Sequence, residues 1–468
     1  MAVRPVRIAT TVAAGAAAAV LAALAVAALI NMRDAEISTQ ARSMARFVPA
    51  AIPADNNAYV ALLGLTAPRR SDPLAEGRRL IAERASEAPA DPFAGRRPTH
   101  PTGDPGPDED EQITLVGDVD AGCDIFNEPC LPFARTREGA IRTLIANNQL
   151  LIDRYHGTQR MSGFAVVPIP DTGRLAIEWS VLGRVHALLL TGAALDAQQG
   201  RAAEACGFLR DDGEFWRQVL SGAATLGDKL SAFRALSEDA RLGSEIIEAV
   251  SFDAGACGPP LRTLLTPLTG QQQSLADAYR MAFVPMLRML ASWPDPAVSV
   301  EPESWADRHL KETPVYELFY RRNASINRCA VVFDGLAALA AEPAPRFAAA
   351  RDAFLAGNRD LTSVGPGSLY NPLGKTLLGR HLPLNVDYIA HAHGVAAYIK
   401  LVRTQLELRL ARVPAADVAQ FLETAAPVST NPFDGRPFGW DRERLRISFD
   451  PIDRRWRRWG TSATVSSP

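Results

Sequence analysis

Four residues on or near one C-terminal helical stretch have side chains suited to acid–base or metal chemistry. They are His381, Asp387, His391 and His393. His391 and His393 are two residues apart, so on a helix of 3.6 residues per turn their side chains diverge by about 200°. Only an i, i+4 pair would place both imidazoles on one metal-binding face. The spacing therefore favours core or capping histidines, and a pocket between helices around these four residues is the alternative.

Two further stretches are similar to ligand-binding loops, but each lacks a required residue. Residues 369–376 end like a phosphate-binding loop, yet Leu369 occupies the position of its first glycine. Asp118, Asp120 and Asp124 form an acidic cluster that suits calcium, but with Asp118 and Asp120 at loop positions 1 and 3, Pro129 stands where the bidentate glutamate is needed. We expect structural loops at both places, with an irregular oxygen-rich cation site near the aspartates as the alternative. Common hydrolase signatures such as H-E-x-x-H and G-x-S-x-G are also absent. The sequence thus predicts no catalytic, cofactor-binding or metal-binding residue.

The segment Arg454–Trp459 is a basic and aromatic cluster with the sequence RRWRRW. Such a cluster suits anionic lipid headgroups or an acidic partner, because tryptophan prefers membrane interfaces. The alternative, which the pattern favours, is a final strand with tryptophans packed inward and arginines in solvent.

Five cysteines are consistent with an oxidising compartment, and none of them forms a C-x-x-C motif. Cys123 and Cys130 flank a short segment that a disulfide closes easily, so we predict that this pair is bonded. A second bridge between Cys206 and Cys257 is an open alternative. Cys329 is then left as a small buried hydrophobe.

Composition excludes some classes of protein. The 468 residues carry a net charge of −2, with 47% hydrophobic and 22% charged residues. This balance is typical of an ordered globular protein and argues against wholesale disorder. The near-neutral charge removes the main reason to expect nucleic-acid binding, so we predict no nucleic-acid partner.

The N-terminal residues 8–32 are uncharged and almost entirely apolar. As a helix they would be about 37 Å long, which exceeds the roughly 30 Å hydrocarbon core of a bilayer. Arg4 and Arg7 precede the segment and favour a cytoplasmic N-terminus. We therefore predict a single-pass anchor in a bacterial inner membrane, with the bulk of the chain in the periplasm. A cleaved signal peptide is the alternative, although its apolar region would be shorter.

Helical periodicity dominates the rest of the chain, and a composition change divides it. The predicted regions are a cytoplasmic tip at 1–7, the transmembrane anchor at 8–32, juxtamembrane helices at 33–88, a Pro/Gly/acidic linker at 89–112, a helical domain at 113–425, a turn/β appendage at 426–459 and a disordered tail at 460–468. Short turns at 199–201 and 211–213 would join successive helices in the manner of an irregular α-solenoid, and a helical bundle is the alternative. The fold class is all-α, with a small C-terminal turn and β-hairpin.

Three motifs carry a resemblance to a known group of proteins. They are Asn57–Gly64, Phe215–Gly222 and Asn431–Phe438. Together they resemble an uncharacterised family of single-span, periplasm-facing helical proteins of proteobacteria. That family has no established activity, so the resemblance implies location and architecture alone.

The leading functional hypothesis is a membrane-anchored scaffold or adaptor in the cell envelope. It rests on the helix-rich sequence and on the absence of a complete match to any of the catalytic motifs considered. The hypothesis implies two partners, the lipid bilayer through residues 8–32 and another protein, and no cofactor. The alternative is an enzyme or ligand-binding protein with a pocket near His381, Asp387, His391 and His393.

Overall fold

The computed structural model describes most of the chain. The described residues are 25–86, 112–117, 122–167, 177–249, 251–292, 319–362, 369–425, 428–451 and 461–465, with the single positions 15, 18, 22 and 93. They are mostly helical, which confirms the predicted all-α class. The helices are α1 (Thr39–Met44), α2 (Ala58–Leu63), α3 (Pro73–Ser86), α4 (Cys130–Thr136), α5 (Glu138–Asn147), α6 (Gln149–Gln159), α7 (Trp179–Gln198), α8 (Ala202–Gly222), α9 (Leu226–Glu248), α10 (Ala254–Leu264), α11 (Gly270–Gln273), α12 (Ala276–Ser292), α13 (Arg322–Leu339), α14 (Ala344–Gly357), α15 (Arg359–Thr362), α16 (Pro372–Leu410) and α17 (Val418–Thr424).

The long helix α16 is the spine of a helical bundle. It contacts α9 and α10, which are distant from it in sequence, as well as α13 and α14. In a solenoid each helix pair contacts mainly its sequence neighbours, so the described helices form a bundle instead. The predicted turn at 211–213 is wrong, because these residues lie inside α8. Gly213 is buried there, and a Cβ on it would lie 2.4 Å from a Leu264 methyl group, so the glycine serves helix packing.

A small antiparallel sheet forms the C-terminal appendage. Its strands are β1 (Gly439–Asp441), β2 (Arg446–Ser448) and β3 (Ser462–Thr464), in that order. Strand β3 lies within residues 460–468, for which the sequence predicts a disordered tail. That prediction is wrong for the residues of β3. Tertiary contacts explain the difference, since Gln405 donates to the Thr464 carbonyl at 2.8 Å and the Thr464 N–H donates to Glu248 at 3.0 Å.

The region after the predicted anchor is fixed to the bundle. Asp34 accepts hydrogen bonds from the N–H groups of Asn323 and Ala324, at 2.8 and 3.0 Å, and so caps the start of α13. The Asn31 side chain donates to the Leu369 carbonyl at 2.7 Å. Within the described part of the chain, no helix has both the length and the apolar character needed to cross a bilayer. More than half of the predicted anchor at 8–32 lies outside the described residues, as do most of the linker at 89–112 and the cluster Arg454–Trp459.

Both disulfide arrangements considered from the sequence occur. Cys123 and Cys130 are bonded with Cα atoms 5.5 Å apart, and Cys206 and Cys257 are bonded with Cα atoms 5.3 Å apart. Cys329 is a buried free thiol on α13. The paired cysteines agree with the predicted use of disulfides and hint at an oxidising compartment.

Two glycines of the quoted motifs lie where backbones approach closely. A Cβ on Gly64 would be 2.1 Å from the Pro73 carbonyl oxygen, and one on Gly222 would be 1.5 Å from the Phe164 carbonyl oxygen. Neither distance is sterically possible, so these positions require glycine.

Asp228, close to the start of α9, is a buried carboxyl group. Thr225 caps the helix by accepting from the Asp228 N–H at 3.1 Å. Asp228 is 3% exposed, and its Oδ2 has no hydrogen-bond partner among the described residues. Burial raises its pKa from 3.8 to about 6, although hydrogen bonds from Thr225 and Trp179 oppose the rise.

This raised pKa predicts a pH-dependent loss of stability. Below the unfolded-state pKa the folded carboxyl group keeps its proton, and its contribution to stability is lost as the pH rises through about 6. From pH 4.5 to 7.5 we expect wild-type protein to lose about 2 kcal/mol relative to Asp228→Asn. Urea unfolding of both proteins at the two pH values measures the difference. Parallel pH dependence would show that Asp228 has an ordinary pKa.

Candidate functional site

Three successive helices bring one histidine and three carboxylates together in the core. His186 lies on α7, Asp212 on α8, and Glu238 and Asp239 on α9. All four residues are buried, and His186 is 1% exposed. We call these four residues the His186 cluster.

The imidazole of His186 is held at both nitrogens. Nε2 lies 2.9 Å from Asp212 Oδ2 and 3.2 Å from Asp239 Oδ1. Nδ1 lies 3.0 Å from Glu238 Oε2, and the other oxygen of Glu238 accepts from Arg234 at 2.8 Å. Two carboxylates therefore converge on one ring nitrogen, while a third fixes the ring from its opposite side.

Asp212 is oriented by three neutral donors. The Tyr155 hydroxyl donates to Asp212 Oδ1 at 2.5 Å, and the Gln159 amide donates to the same oxygen at 2.6 Å. The Trp216 indole N–H, one helical turn after Asp212, donates to Oδ2 at 2.8 Å. Such a network fixes the carboxylate in one orientation.

Burial and mutual charge shift the pKa values of this cluster. For His186, burial alone lowers the pKa, but the charge of Asp212 and the hydrogen bonds of the surrounding carboxylates raise it well above its ordinary value. Burial and the neighbouring Asp212 charge raise the pKa of Asp239 well above its ordinary value. Positive charge near Nε2, from either a proton or a metal ion, would therefore stabilise these buried carboxylates.

Part of the cluster faces a cavity of about 480 Å³. His186 and Glu238 lie in its wall, beside the Trp216 ring and the basic side chains of Arg184 and Arg234. The disulfide loop contributes to the wall at 122–125. The cavity is within the size range of small-molecule sites and combines aromatic with charged groups.

The donor set of the cluster suits a divalent metal ion. One ligand atom each from His186, Asp212 and Asp239 can be chosen so that all three lie within 4.8 Å of one another. Asp239 Oδ2 has no hydrogen-bond partner among the described residues, which leaves a donor position on that carboxylate. A tetrahedral ion with bonds of about 2.0–2.1 Å has ligand atoms about 3.3 Å apart, close to the Nε2–carboxylate distances here.

The site residues considered from the sequence lie elsewhere. His391 contacts the Phe233 ring with centroids 6.3 Å apart, whereas His393 contacts the Phe347 ring at 5.1 Å. The two imidazoles thus face different helices, α9 and α14, as their spacing predicted. Burial lowers both pKa values to about 4, so both rings are neutral near pH 7. Asp387 is half-buried on the same helix, and the side chain of His381 lies outside the described part of the structure.

The loops considered as ligand sites have structural roles where they are described. Gly374 lies in the first turn of α16, and Asn371 precedes that helix with φ 54°. Asp124 accepts from the Asn127 amide at 2.6 Å within the disulfide loop. Asp118 and Asp120 lie outside the described residues.

Sequence reasoning missed the His186 cluster. Asp212 was assigned to a turn, and His186 lies among apolar residues on a helix, where a core histidine is the ordinary interpretation. The one usable signal was the i, i+4 pair of Asp212 and Trp216, which on a helix places an acceptor next to an indole donor.

In comparisons with protein-family models, with curated proteins and with solved structures, the chain matches none of them. The fold and site define an all-α, disulfide-containing protein with a buried histidine–carboxylate cluster. The resemblance to a proteobacterial envelope family stays a prediction.

Proposed function

We propose that the protein binds a divalent metal ion through His186, Asp212 and Asp239. The observation that carries the proposal is the convergence of Asp212 and Asp239 on the same nitrogen of a buried histidine. A cation at this place would neutralise two carboxylates that otherwise repel each other in a region of low dielectric constant.

The surrounding hydrogen bonds support this proposal. Metal-ligating histidines commonly donate their other ring N–H to a carboxylate, which fixes the tautomer and the ring orientation. Glu238 lies at the matching position beside Nδ1 of His186. The donors to Asp212, namely Tyr155, Gln159 and Trp216, would orient that ligand in the same way.

Nitrogen and oxygen donors narrow the choice of metal. One imidazole with two carboxylates suits Zn²⁺ or Mn²⁺ better than a soft ion that prefers sulfur. The adjoining cavity, with Arg184 and Arg234 in its wall, would give a small anionic ligand access to the site. We therefore propose a metal-binding function with a ligand cavity next to the ion.

The location predicted from the sequence is part of the proposal. Residues 8–32 would anchor the chain in a bacterial inner membrane, and the metal site would lie in the periplasm. Exposed apolar side chains at Val26, Leu29 and Met32 and the two disulfides support this placement. A scaffold or adaptor role stays a prediction that the metal site neither requires nor opposes.

Metal binding is tested with chelator-treated full-length protein in detergent. We expect isothermal titration calorimetry to show one equivalent of Zn²⁺ or Mn²⁺ bound to the wild type. Asp239→Asn, which keeps the side-chain shape and removes a ligand charge, should weaken binding at least 100-fold. Asp211→Asn is the control, because Asp211 is exposed and pairs with Arg210.

Two outcomes would contradict the proposal. The first is a wild-type protein that binds neither ion, with Asp239→Asn as stable as wild type, which would show that a proton neutralises the cluster. The second is equal metal affinity in Asp239→Asn and Asp211→Asn, which would place the bound ion elsewhere.

A further inference from the structure

A second cavity, of about 500 Å³, lies along one face of the spine helix α16. His393, Ala396, Lys400 and Arg403 line it, and their spacings of three, four and three residues place them on a single helical stripe. At 1.5 Å per residue the stripe is about 15 Å long. The cavity is therefore elongated, and we call it the α16 groove.

The other walls of the α16 groove are largely apolar. The remaining lining residues are Thr266, Pro267, Leu268, Gln273, Ala344, Val428 and Pro432. No acidic residue is among the described residues that line it. The groove thus combines an apolar wall with a basic stripe.

Lys400 provides the uncompensated charge in the groove. Its ammonium group donates to the Thr430 hydroxyl at 2.7 Å, and no acidic group among the described residues lies within ion-pair distance. Arg403, by contrast, pairs with Glu407 at 2.7 Å and donates to the Arg262 carbonyl at 2.6 Å. Lys400 is partly buried, and this burial lowers its pKa.

His393 marks the other end of the groove. It is 5% exposed, and neither ring nitrogen has a hydrogen-bond partner among the described residues. Its ring is neutral near pH 7 because burial lowers its pKa to about 4. Buried polar groups are rarely left unpaired, since each costs about 1–3 kcal/mol. A polar ligand group that formed a hydrogen bond with the His393 imidazole would therefore remove this cost.

We propose that the α16 groove binds an aliphatic carboxylate whose far end carries a polar group. The carboxylate would pair with Lys400, the chain would lie along Leu268, Ala344 and Val428, and the far polar group would hydrogen-bond to His393. Lys400 and His393 are seven residues apart, about 10 Å along the helix, which sets the length of the ligand. This inference is independent of the metal site, because the α16 groove shares no lining residue with the cavity beside His186.

The test measures binding of three probes of matched length to the full-length protein by titration calorimetry. The probes are octanoate, ω-hydroxyoctanoate and octylammonium. We expect both anions to bind, ω-hydroxyoctanoate at least threefold more tightly, and octylammonium not to bind. Lys400→Met should weaken both anions at least tenfold, whereas Lys375→Met, on the same helix outside the groove, should leave them unchanged.

His393→Phe tests the far end of the groove. This variant should bind the two anions with equal affinity, because the partner of the hydroxyl group is gone. Circular dichroism checks that each variant is folded, and Lys400→Met tests the charge even if His393→Phe does not fold. Equal binding of octylammonium and octanoate, or no loss in Lys400→Met, would overturn the proposal. Failure of every probe on the wild type would also overturn it.

Discussion

Asp212→Asn is expected to lower the free energy of unfolding by about 4 kcal/mol in chelator-treated protein. Asp212 accepts from Tyr155, Gln159 and Trp216 and also contacts His186. An asparagine amide has one acceptor atom in place of two, so at least one of these donors would face an N–H group. Each unpaired buried donor adds a desolvation penalty, and the charge beside His186 is lost as well.

The neighbouring residue provides the control for this prediction. Asp211 makes an exposed contact with Arg210, so Asp211→Asn should change stability by less than about 0.5 kcal/mol. Urea unfolding of the three proteins, followed by circular dichroism, measures both effects. If Asp212→Asn unfolds at the same urea concentration as Asp211→Asn, the network around Asp212 contributes little to stability.

The helices were predictable because their signals are local. Apolar periodicity and short caps depend on residues three or four positions apart, so a single sequence is enough to predict that the domain at 113–425 is helical. The disulfide between Cys123 and Cys130 was accessible for the same reason, since seven positions separate the cysteines. Local spacing was thus sufficient for the fold class.

The His186 cluster was not predictable because its partners are distant in sequence. Glu238 and Asp239 are 52 and 53 residues from His186, and only the packing of α7, α8 and α9 brings them together. In a single sequence a histidine on an apolar helix face has the pattern of any core residue. Strand β3 escaped prediction similarly, because contacts with Gln405 and Glu248 stabilise three residues of weak local preference.

Arg154 shows how one long-range side chain can define an irregular segment. Arg154 is a buried residue, and its guanidinium group donates four hydrogen bonds to backbone carbonyls between α2 and α3. The acceptors, with their distances, are Leu65 (2.9 Å), Ala67 (2.6 Å), Pro68 (2.8 Å) and Ser71 (3.0 Å). The backbone carbonyls of an irregular segment need such donors, because no regular helix or sheet hydrogen bonds satisfy them.

Arg154→Met should therefore destabilise the protein by about 4 kcal/mol, since four carbonyls lose a charged donor at once. Arg154→Lys should recover part of this loss, because an ammonium group has three donors but lacks the planar fork that reaches both pairs of carbonyls. Arg160→Met is the control, because Arg160 is exposed at the end of the same helix.

Urea unfolding gives the stabilities of these three variants, and hydrogen exchange locates the change. We expect amide protection at 65–72 to fall in Arg154→Met while the protection of α9 follows only the change in global stability. If Arg154→Met differs from Arg160→Met by less than about 1 kcal/mol, hydration replaces the four hydrogen bonds. In that case the segment between α2 and α3 would be held by its apolar contacts, such as those of the buried Leu65 and Ala67.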